Sequence, residues 1–325
     1  MSQYNMTEKT SIVFLGTPEF ACPFLEKLAA DRQRFDILAV ITQEDKVQGR
    51  KRLPAPPPVK TTAEKLGLPV YQPARLNKDG ELLEKLEQMA PDFLLVIAYG
   101  QILSPRVLTI PGIKPINVHG SILPLYRGAS PVEQALLNGD STTGLSIMAM
   151  EAGMDTGPVY SVINCPIAPD DTSPSLRRKL SELGSAELPE LLLQIKSGGL
   201  RARPQDDSRA SYCGKISKSD GLTDPAVLDA NTVYNRWRAY FPWPGISVQV
   251  KEIPLKLLKI RPVKVPGTPS APSAPSPAPG RFLISDKRLF LGCQSGAVEI
   301  LELQLPGKSA QLTATFLAGN SHYFA

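Results

Sequence analysis

The chain has 325 residues, of which 42% are hydrophobic and 21% are charged, and its formal net charge is +5. These values are typical of a globular protein with room for two domains, and they argue against a disordered or fibrous chain. There is no apolar run of transmembrane length and no apolar leader segment, so we predict a cytoplasmic protein, or an organellar one in a eukaryote, without membrane contact. The four cysteines show neither a CxxC pair nor zinc-ligand spacing, which predicts reduced thiols and no metal site.

The positive charge is concentrated in the last third of the chain. Residues 211–325 carry 13 Lys and Arg against 7 Asp and Glu, a net charge of +6, whereas residues 1–210 sum to −1. This asymmetry indicates an acidic partner, and nucleic acid is the commonest one. The alternative is a basic surface that is exposed to solvent and binds no partner, which would give the same net charge.

The first elements form a βαβ unit. Residues 11–16 are a continuous apolar run that predicts a buried parallel strand, residues 19–32 have helical apolar spacing, and residues 35–42 predict a second strand. The turn after the first strand is GTPEF rather than GxGxxG, which argues against a nicotinamide cofactor.

A long loop follows at residues 43–58, rich in proline and locally basic at Arg50, Lys51 and Arg52. Loops of this length inside a compact domain are usually functional or disordered. Two alternatives stay open: a flexible surface excursion, and a basic arm that grips a polyanion.

The apolar periodicity predicts an open α/β sheet for the rest of the first part of the chain. The predicted strands are residues 92–100, 144–150 and 158–164, and the predicted helices are residues 59–66, 81–89, a segment that begins at 172 and a separate one at 189–196.

Residues 114–131 carry the most informative pattern. Asn117 and His119 are two positions apart on a short predicted strand, so their side chains project from the same face. A Gly-Ser turn follows, and then a helix start with Pro131 as its first residue and Ser130 with Glu133 as a capping box. A strand, a turn and a helix of this kind build a site at the carboxyl end of strands in an open α/β sheet.

The second part of the chain has a different texture. We predict a linker at residues 201–208 and a helix at residues 231–240. Several short strand-like runs between residues 246 and 305 indicate a small β-barrel. The Pro/Ser/Ala run at 266–280 predicts an extended surface loop. We therefore predict two domains, residues 1–207 and residues 208–325.

Three polar residues are the candidate catalytic groups. His119 is the histidine placed to exchange protons near neutral pH, since His322 lies at the C-terminus. The amide of Asn117 can donate to a developing oxyanion, and Asp155, in a glycine-flanked loop, can orient the imidazole. Each also has a structural alternative: a structural histidine, a capping asparagine and an Asx-turn aspartate. Together they suit direct acyl transfer without a covalent enzyme intermediate.

These residues resemble the folate-dependent formyltransferases. The similarity lies in Asn-Val-His-Gly-Ser-Ile-Leu-Pro at 117–124 followed by Tyr-Arg-Gly-Ala, and in Asp-Thr-Gly at 155–157. Members that act on tRNA are similar over nearly the whole chain: GTPEFA at 16–21, PVK at 58–60, GLPVYQP at 67–73, VIAYGQIL at 96–103 and FPWPG at 241–245. Ile122 stands where leucine is more usual, a volume-conserving change.

The resemblance implies a Rossmann-like formyltransferase domain with a mostly parallel sheet, followed by an OB-like barrel that holds tRNA by its phosphates. It implies that the methionyl amino group of initiator methionyl-tRNA attacks the formyl carbon of 10-formyltetrahydrofolate and that tetrahydrofolate is released. Asn117 would stabilise the oxyanion, His119 would transfer protons and Asp155 would orient His119. The folate site would include Ser121, Ile122, Leu123, Pro124, Ala98, Tyr99 and Gln101. The basic loop at Arg50, Lys51 and Arg52 would enter the acceptor end of the tRNA, and we expect a monomer.

Two other functions compete with this hypothesis. A formyltransferase acting on an amino sugar nucleotide or a ribonucleotide would use the same three residues, but a small substrate does not require a basic second domain. A non-enzymatic nucleic-acid-binding protein would explain the charge, but it has no need for Asn117, His119 and Asp155 together.

Overall fold

The computed structural model describes residues 8–48, 53–263 and 277–324. The first half of the chain contains the following elements: β1 Thr10–Gly16, α1 Cys22–Ala30, β2 Phe35–Ile41, β3 Lys46–Gln48, β4 Leu53–Ala55, α2 Pro58–Lys65, β5 Val70–Tyr71, α3 Gly80–Met89, β6 Phe93–Ile97, α4 Pro105–Leu108, β7 Lys114–His119, β8 Arg127–Gly128, α5 Pro131–Asn138 and β9 Thr142–Ala149. The second half contains β10 Val159–Pro166, α6 Ser173–Lys196, β11 Tyr212–Cys213, α7 Ala230–Tyr240, β12 Ile246–Val250, β13 Ile253–Val263, β14 Phe282–Ser285, β15 Arg288–Gly292, β16 Ala297–Gln304, β17 Gln311–Leu312 and α8 Thr313–Asn320.

A seven-stranded sheet forms the centre of the first compact unit. Its strand order is β10-β9-β7-β6-β1-β2-β5. The pairs from β5 through β7 are parallel, whereas β9 is antiparallel to both β7 and β10. The prediction of a mostly parallel α/β sheet is therefore confirmed.

The strands β1 and β6 are buried on both faces, as their continuous apolar runs predicted, whereas β2 has an exposed residue at Asp36. Consecutive residues of β1, such as Val13 and Phe14, are both fully buried although their side chains point to opposite faces of the sheet. On one face, Leu82, Leu83 and Leu86 of α3 pack into a core cluster with residues of these three strands.

The predicted loop at residues 43–58 contains more structure than expected. The short antiparallel strands β3 and β4 pair within it, and α2 begins at Pro58. The three basic residues at 50–52 lie outside the described residues, so the interpretation of this loop as a basic arm stays a prediction.

The two helices predicted after residue 172 are a single helix, α6, with Pro189 in its interior. Proline removes one backbone donor and usually ends a helix. Here the buried stripe of Leu180, Leu188 and Leu192 continues across it. At the stripe position of Gly184, a Cβ atom would lie 2.3 Å from Leu145 Cδ1, so any larger residue would require the neighbouring side chains to move. Packing on both sides of the proline therefore outweighs its local penalty.

The helix α5 begins at Pro131 as predicted, but its capping box does not form. Ser130 makes no side-chain capping hydrogen bond, and the Glu133 carboxylate accepts a hydrogen bond from the Ser173 hydroxyl. A buried tertiary partner has replaced the local one.

The second compact unit is built on an antiparallel sheet, as expected for the C-terminal part of the chain. Its order is β12-β13-β16-β15-β14, and β17 pairs with β16. The helix α7 contacts β13 and β16, and Trp237 Nε1 donates a hydrogen bond of 2.9 Å to the Leu258 carbonyl. The helix α5 packs against α7 within this unit.

The division of the chain into compact units is not a single cut. The first unit comprises residues 1–128, 142–166 and 177–212, and the second comprises residues 129–141, 167–176 and 213–325. The domain boundary at 207/208 stays a prediction.

All four cysteines are buried thiols: Cys22, Cys165, Cys213 and Cys293. Burial raises the pKa of Cys22, and it raises the pKa of Cys293 to about 11. A membrane-spanning helix, which must be both long and apolar, does not occur in the described parts of the chain.

Candidate active site

The carboxyl end of β7 presents the two polar residues that the sequence singled out. Val96 of the parallel strand β6 pairs with Asn117, and His119 pairs with Ser146 of β9. Asn117 is half-buried, and the relative exposure of His119 is only 5%. Both therefore lie at the carboxyl edge of the parallel strands, where open α/β sheets place their sites.

Asp155 reaches this edge by a different route. Because β9 runs antiparallel to β7, the loop after β9 starts at the far end of β7 and has to fold back along it. Gly157 permits this turn, since a Cβ atom there would lie 1.9 Å from the Ala149 carbonyl oxygen. Asp155 has a left-handed φ of 54°, a conformation that is unfavourable for most residues and less so for aspartate.

The structure brings the three candidate catalytic residues together around the Asp155 carboxylate. Its Oδ1 atom lies 3.4 Å from Asn117 Nδ2, and its Oδ2 atom lies 3.5 Å from His119 Nδ1. The Gly128 backbone N–H donates a hydrogen bond of 2.8 Å to Oδ2. The carboxylate is therefore held by one strong backbone bond and faces both other groups at longer range.

The position of one His119 proton follows from its partners. The Nε2 atom lies 3.0 Å from the Tyr126 carbonyl oxygen, which can only accept, so Nε2 carries a hydrogen and donates it. The Nδ1 atom faces the Asp155 carboxylate. Proton uptake and release by this ring therefore occur at Nδ1, on the side of Asp155.

The predicted folate-pocket turn at residues 121–124 is rigidly bonded. Ser121 is fully buried and its hydroxyl donates to the Leu125 carbonyl oxygen at 2.5 Å. Ser146 Oγ accepts from the Leu123 N–H at 3.0 Å and donates to the Ser121 carbonyl oxygen at 2.7 Å. The Leu123–Pro124 peptide is cis. Pro124 and Ile122 are half-buried, so these two side chains are the more accessible members of the turn.

The predicted opposite wall follows β6 at residues 98–101. Ala98 is exposed and has a φ of 50°, but the Tyr99 side chain is buried in the core cluster. The Gln101 side chain is turned away, since its Oε1 accepts from the Leu76 N–H at 3.0 Å. Tyr99 and Gln101 can therefore contribute backbone atoms to a ligand site, whereas their side chains are structural.

The Tyr99 carbonyl oxygen ties this wall to two other strand ends. It accepts from Thr17 Oγ1 at 2.9 Å and from Gln43 Nε2 at 3.0 Å. The wall is therefore attached to the residues that follow β1 and β2.

Two contacts of the site had no recognisable signal in the sequence. The Gly128 N–H is a backbone group, and Gln205 lies in the polar stretch that predicted a linker. Gln205 Nε2 donates to the Asp155 carbonyl oxygen at 2.8 Å and to the Gly157 carbonyl oxygen at 2.7 Å. A single glutamine without periodicity around it carries no pattern that would reveal such long-range bonds.

The described residues contain no cluster of three or more His, Cys, Asp or Glu side chains that could hold a metal ion. The chemistry available at this site is that of an amide donor, an imidazole and a carboxylate.

Two family models cover the two parts of the chain. The model described as formyl transferase matches residues 9–192, and the model described as formyl transferase, C-terminal domain, matches residues 215–321. The chain belongs to the formyltransferase family, and the resemblance seen in its sequence is thereby confirmed.

Its relatives within this family are methionyl-tRNA formyltransferases. The one from Dehalococcoides mccartyi is 43% identical over 96% of both chains. The one from Geobacter sulfurreducens is 39% identical over 95% of this chain and 93% of its own.

Solved structures share the fold at lower identity. An N-formyltransferase from Helicobacter canadensis, in complex with folinic acid and dTDP-3-aminofucose, superposes with a TM-score of 0.66 at 16% identity, covering 90% of this chain and 99% of that one. HypX from Aquifex aeolicus gives a TM-score of 0.63 at 17% identity over 96% of this chain, which spans about half (48%) of HypX.

Proposed function

We propose that this protein transfers the formyl group of 10-formyltetrahydrofolate to the amino group of methionine on initiator methionyl-tRNA, for translation initiation. The observation that carries the chemistry is the convergence of Asn117, His119 and Asp155 at one strand end. The choice of acceptor is supported by the relatives, which share about two fifths of their residues with this chain and bear the name methionyl-tRNA formyltransferase.

The donor set fits a folate that carries a formyl group. The Asn117 amide has two N–H groups, and its bond to Asp155 is long at 3.4 Å, so it retains donor capacity for an acyl oxygen. The residues that would hold the folate are the turn at 121–124 and the backbone at Ala98, Tyr99 and Gln101. When bound, the folate supplies an acyl carbon that is open to attack by an amine.

Each of the three residues then has a defined task. Asn117 donates a hydrogen bond to the oxygen that gains negative charge during acyl transfer. His119 exchanges a proton at Nδ1, because its Nε2 proton is committed to the Tyr126 carbonyl. Asp155 orients the imidazole and stabilises its protonated form, since the carboxylate is itself held by Gly128.

The tRNA is expected to contact the basic parts of the chain. The net charge of +6 in residues 211–325 supports phosphate binding by the C-terminal domain, residues 208–325. Arg50, Lys51 and Arg52 are proposed to enter the acceptor end. We place the reaction in the cytoplasm of a bacterium, in line with the bacterial relatives, or in an organellar matrix, and we assign it to a monomer.

The proposal is tested by following labelled formyl from 10-formyltetrahydrofolate to two acceptors offered separately. Label on initiator methionyl-tRNA alone is the expected result. Label on an amino sugar nucleotide alone would keep the chemistry of the three residues and refute the tRNA acceptor. Transfer to neither acceptor would refute the enzymatic function.

Removing the charges at Arg50, Lys51 and Arg52 tests the basic loop. The triple alanine variant is expected to raise the KM for methionyl-tRNA about tenfold or more, because three phosphate contacts are lost. The Kd for the folate should stay unchanged. The double variant Arg50→Lys and Arg52→Lys is the matched control, since with Lys51 unchanged it keeps all three charges. A weaker folate affinity with normal use of tRNA would contradict the assignment.

A further inference from the structure

The segment after α6 is bonded directly to the loop that carries Asp155. The Gln205 side chain donates to the carbonyl oxygens of both Asp155 and Gly157, at 2.8 and 2.7 Å. These two carbonyls flank Thr156, so one side-chain amide spans the turn. Gln205 is only half-buried, but both of its N–H groups are used in this way.

The Gln205 side chain is also bonded to Arg127, which precedes the glycine that holds the Asp155 carboxylate. Gln205 Oε1 accepts from Arg127 Nε at 3.1 Å and from Arg127 Nη2 at 2.8 Å. Arg127 is 1% exposed, and its Nη2 atom also donates to Asp207 at 2.6 Å. A buried guanidinium in this geometry is fixed by its fork of donors.

These contacts close a ring around the catalytic aspartate. Arg127 is covalently joined to Gly128, whose N–H donates to Asp155 Oδ2 at 2.8 Å. The ring therefore runs from the Asp155 carboxylate through Gly128, Arg127 and Gln205 to the Asp155 carbonyl. Both ends of one residue are held by it.

The conformation of Asp155 explains why such a hold is needed. Its φ of 54° lies in the left-handed region that non-glycine residues rarely adopt, and such a conformation persists only where the surroundings over-determine it. The carboxylate lies 3.5 Å from His119 Nδ1. A loop that relaxed toward ordinary backbone angles would move the carboxylate away from the imidazole.

We propose that Gln205, acting with Arg127, is a positioning residue that holds Asp155 in its working geometry. Gln205 touches neither of the reacting groups and acts through the backbone of the Asp155 turn. This inference rests on the proposed function, which assigns a catalytic task to Asp155.

The test uses Gln205→Leu, which removes all four hydrogen bonds, and Gln205→Glu, which keeps an acceptor for Arg127 but loses both donors. Both variants are expected to lower kcat about 10- to 100-fold, with the KM of each substrate changed less than about threefold, as for misplaced catalytic groups. Asp206→Ala is the matched control: this neighbour is exposed and accepts from Ser208 within the same segment. It should retain normal kcat.

A double variant separates positioning from general destabilisation. If Gln205 acts only through Asp155, adding Gln205→Leu to Asp155→Asn should lower kcat further by less than about twofold. A multiplicative loss in the double variant, or normal kcat in both Gln205 variants, overturns the inference.

A readout independent of activity is the Gly128 amide resonance in the 15N spectrum of the full chain. It is expected to shift in Gln205→Leu and in Asp155→Asn, and to stay in place in Asp206→Ala. An unmoved resonance in Gln205→Leu refutes the positioning. A wild-type protein that fails to formylate methionyl-tRNA while this resonance responds would refute the proposed function and leave the structural link intact.

Discussion

At the scale of single residues, the site is organised by how each polar atom is occupied. His119 has one ring nitrogen committed to a carbonyl and the other directed at Asp155, so its orientation and its proton-exchanging atom are both set. Asn117 has a weaker commitment, with a bond of 3.4 Å. This difference suits an imidazole of His119 that stays fixed and an amide of Asn117 that can turn toward a substrate oxygen.

Replacing either residue by alanine tests their assigned tasks. Asn117→Ala and His119→Ala are each expected to lower kcat by about 10²- to 10³-fold, the usual size for an oxyanion donor or a proton-transfer group. Steady-state rates with methionyl-tRNA provide the measurement. Asn164→Ala, which changes an exposed asparagine on β10, is the matched control. Near-normal turnover in both site variants would contradict the mechanism.

Residues whose neighbours are local in the chain could be predicted from the sequence. Asn117 and His119 were predicted to share a face because they are two apart on a strand, and the structure brings both to the Asp155 carboxylate. Gln205 could not be foreseen, because its partners lie between 48 and 78 residues earlier in the chain. For the same reason the capping box of Glu133 was wrong: a distant serine competes with the local partner.

At the scale of elements, strands that are buried on both faces were predicted correctly from the sequence. The runs that became β1 and β6 were predictable because strands covered on both faces are continuously apolar. The direction of β9 was not predictable, since parallel and antiparallel neighbours have similar composition. Yet this direction determines the path of the Asp155 loop. The continuity of α6 through Pro189 also depends on tertiary packing.

The antiparallel sheet of the second unit contains a buried carboxylate that gives it a pH dependence. Glu299 on β16 is 4% exposed and bonds to Arg288 on β15 and Arg261 on β13. The hydrogen bond from Arg288 is the first cause that lowers the pKa of Glu299, and Arg261 adds to it. The charged form therefore cross-links three strands.

Removing this carboxylate should destabilise the unit above the ordinary glutamate pKa. Glu299→Gln is expected to cost about 1.5–3 kcal/mol at pH 7, the range for hydrogen bonds to charged groups. Since the folded pKa lies below the ordinary value of 4.5, the wild-type advantage is full above that pH. It should be lost as the pH falls through the lower folded pKa. Thermal unfolding from pH 7 to pH 3 measures it, with Glu302→Gln on the same strand as control. An advantage that grew in acid would contradict this account.

At the scale of the whole molecule, neither compact unit is a continuous stretch of the chain. Residues 129–141 and 167–176 belong to the second unit although they interrupt the first in sequence. The helix α5, in one of these segments, packs against α7 more than 90 residues later. A boundary predicted from a linker-like composition cannot detect such discontinuous units, because composition does not show which distant segments pack together.

Cutting the chain at the predicted boundary is therefore expected to be harmful. A fragment of residues 1–207 lacks α7, the partner of α5, and lacks Ser211, which accepts a hydrogen bond from the Arg127 N–H. We expect lower soluble yield and a lower Tm than for the full chain. Residues 1–214 form the matched control, since they restore Ser211 but not α7, and should be improved only in part. A fragment 1–207 with the Tm of the full chain would contradict this expectation.

The burial of all four thiols makes the unmodified chain a ready background for site-specific labelling. A maleimide needs an accessible thiolate, and burial both shields these sulfurs and, at Cys22 and Cys293, disfavours their ionisation. Met154, beside Asp155, is 63% exposed. A Met154→Cys variant should take up a single fluorophore, detectable by mass, while the parent chain takes up none. Such a probe would report the motion of the aspartate loop during turnover without any prior removal of native cysteines.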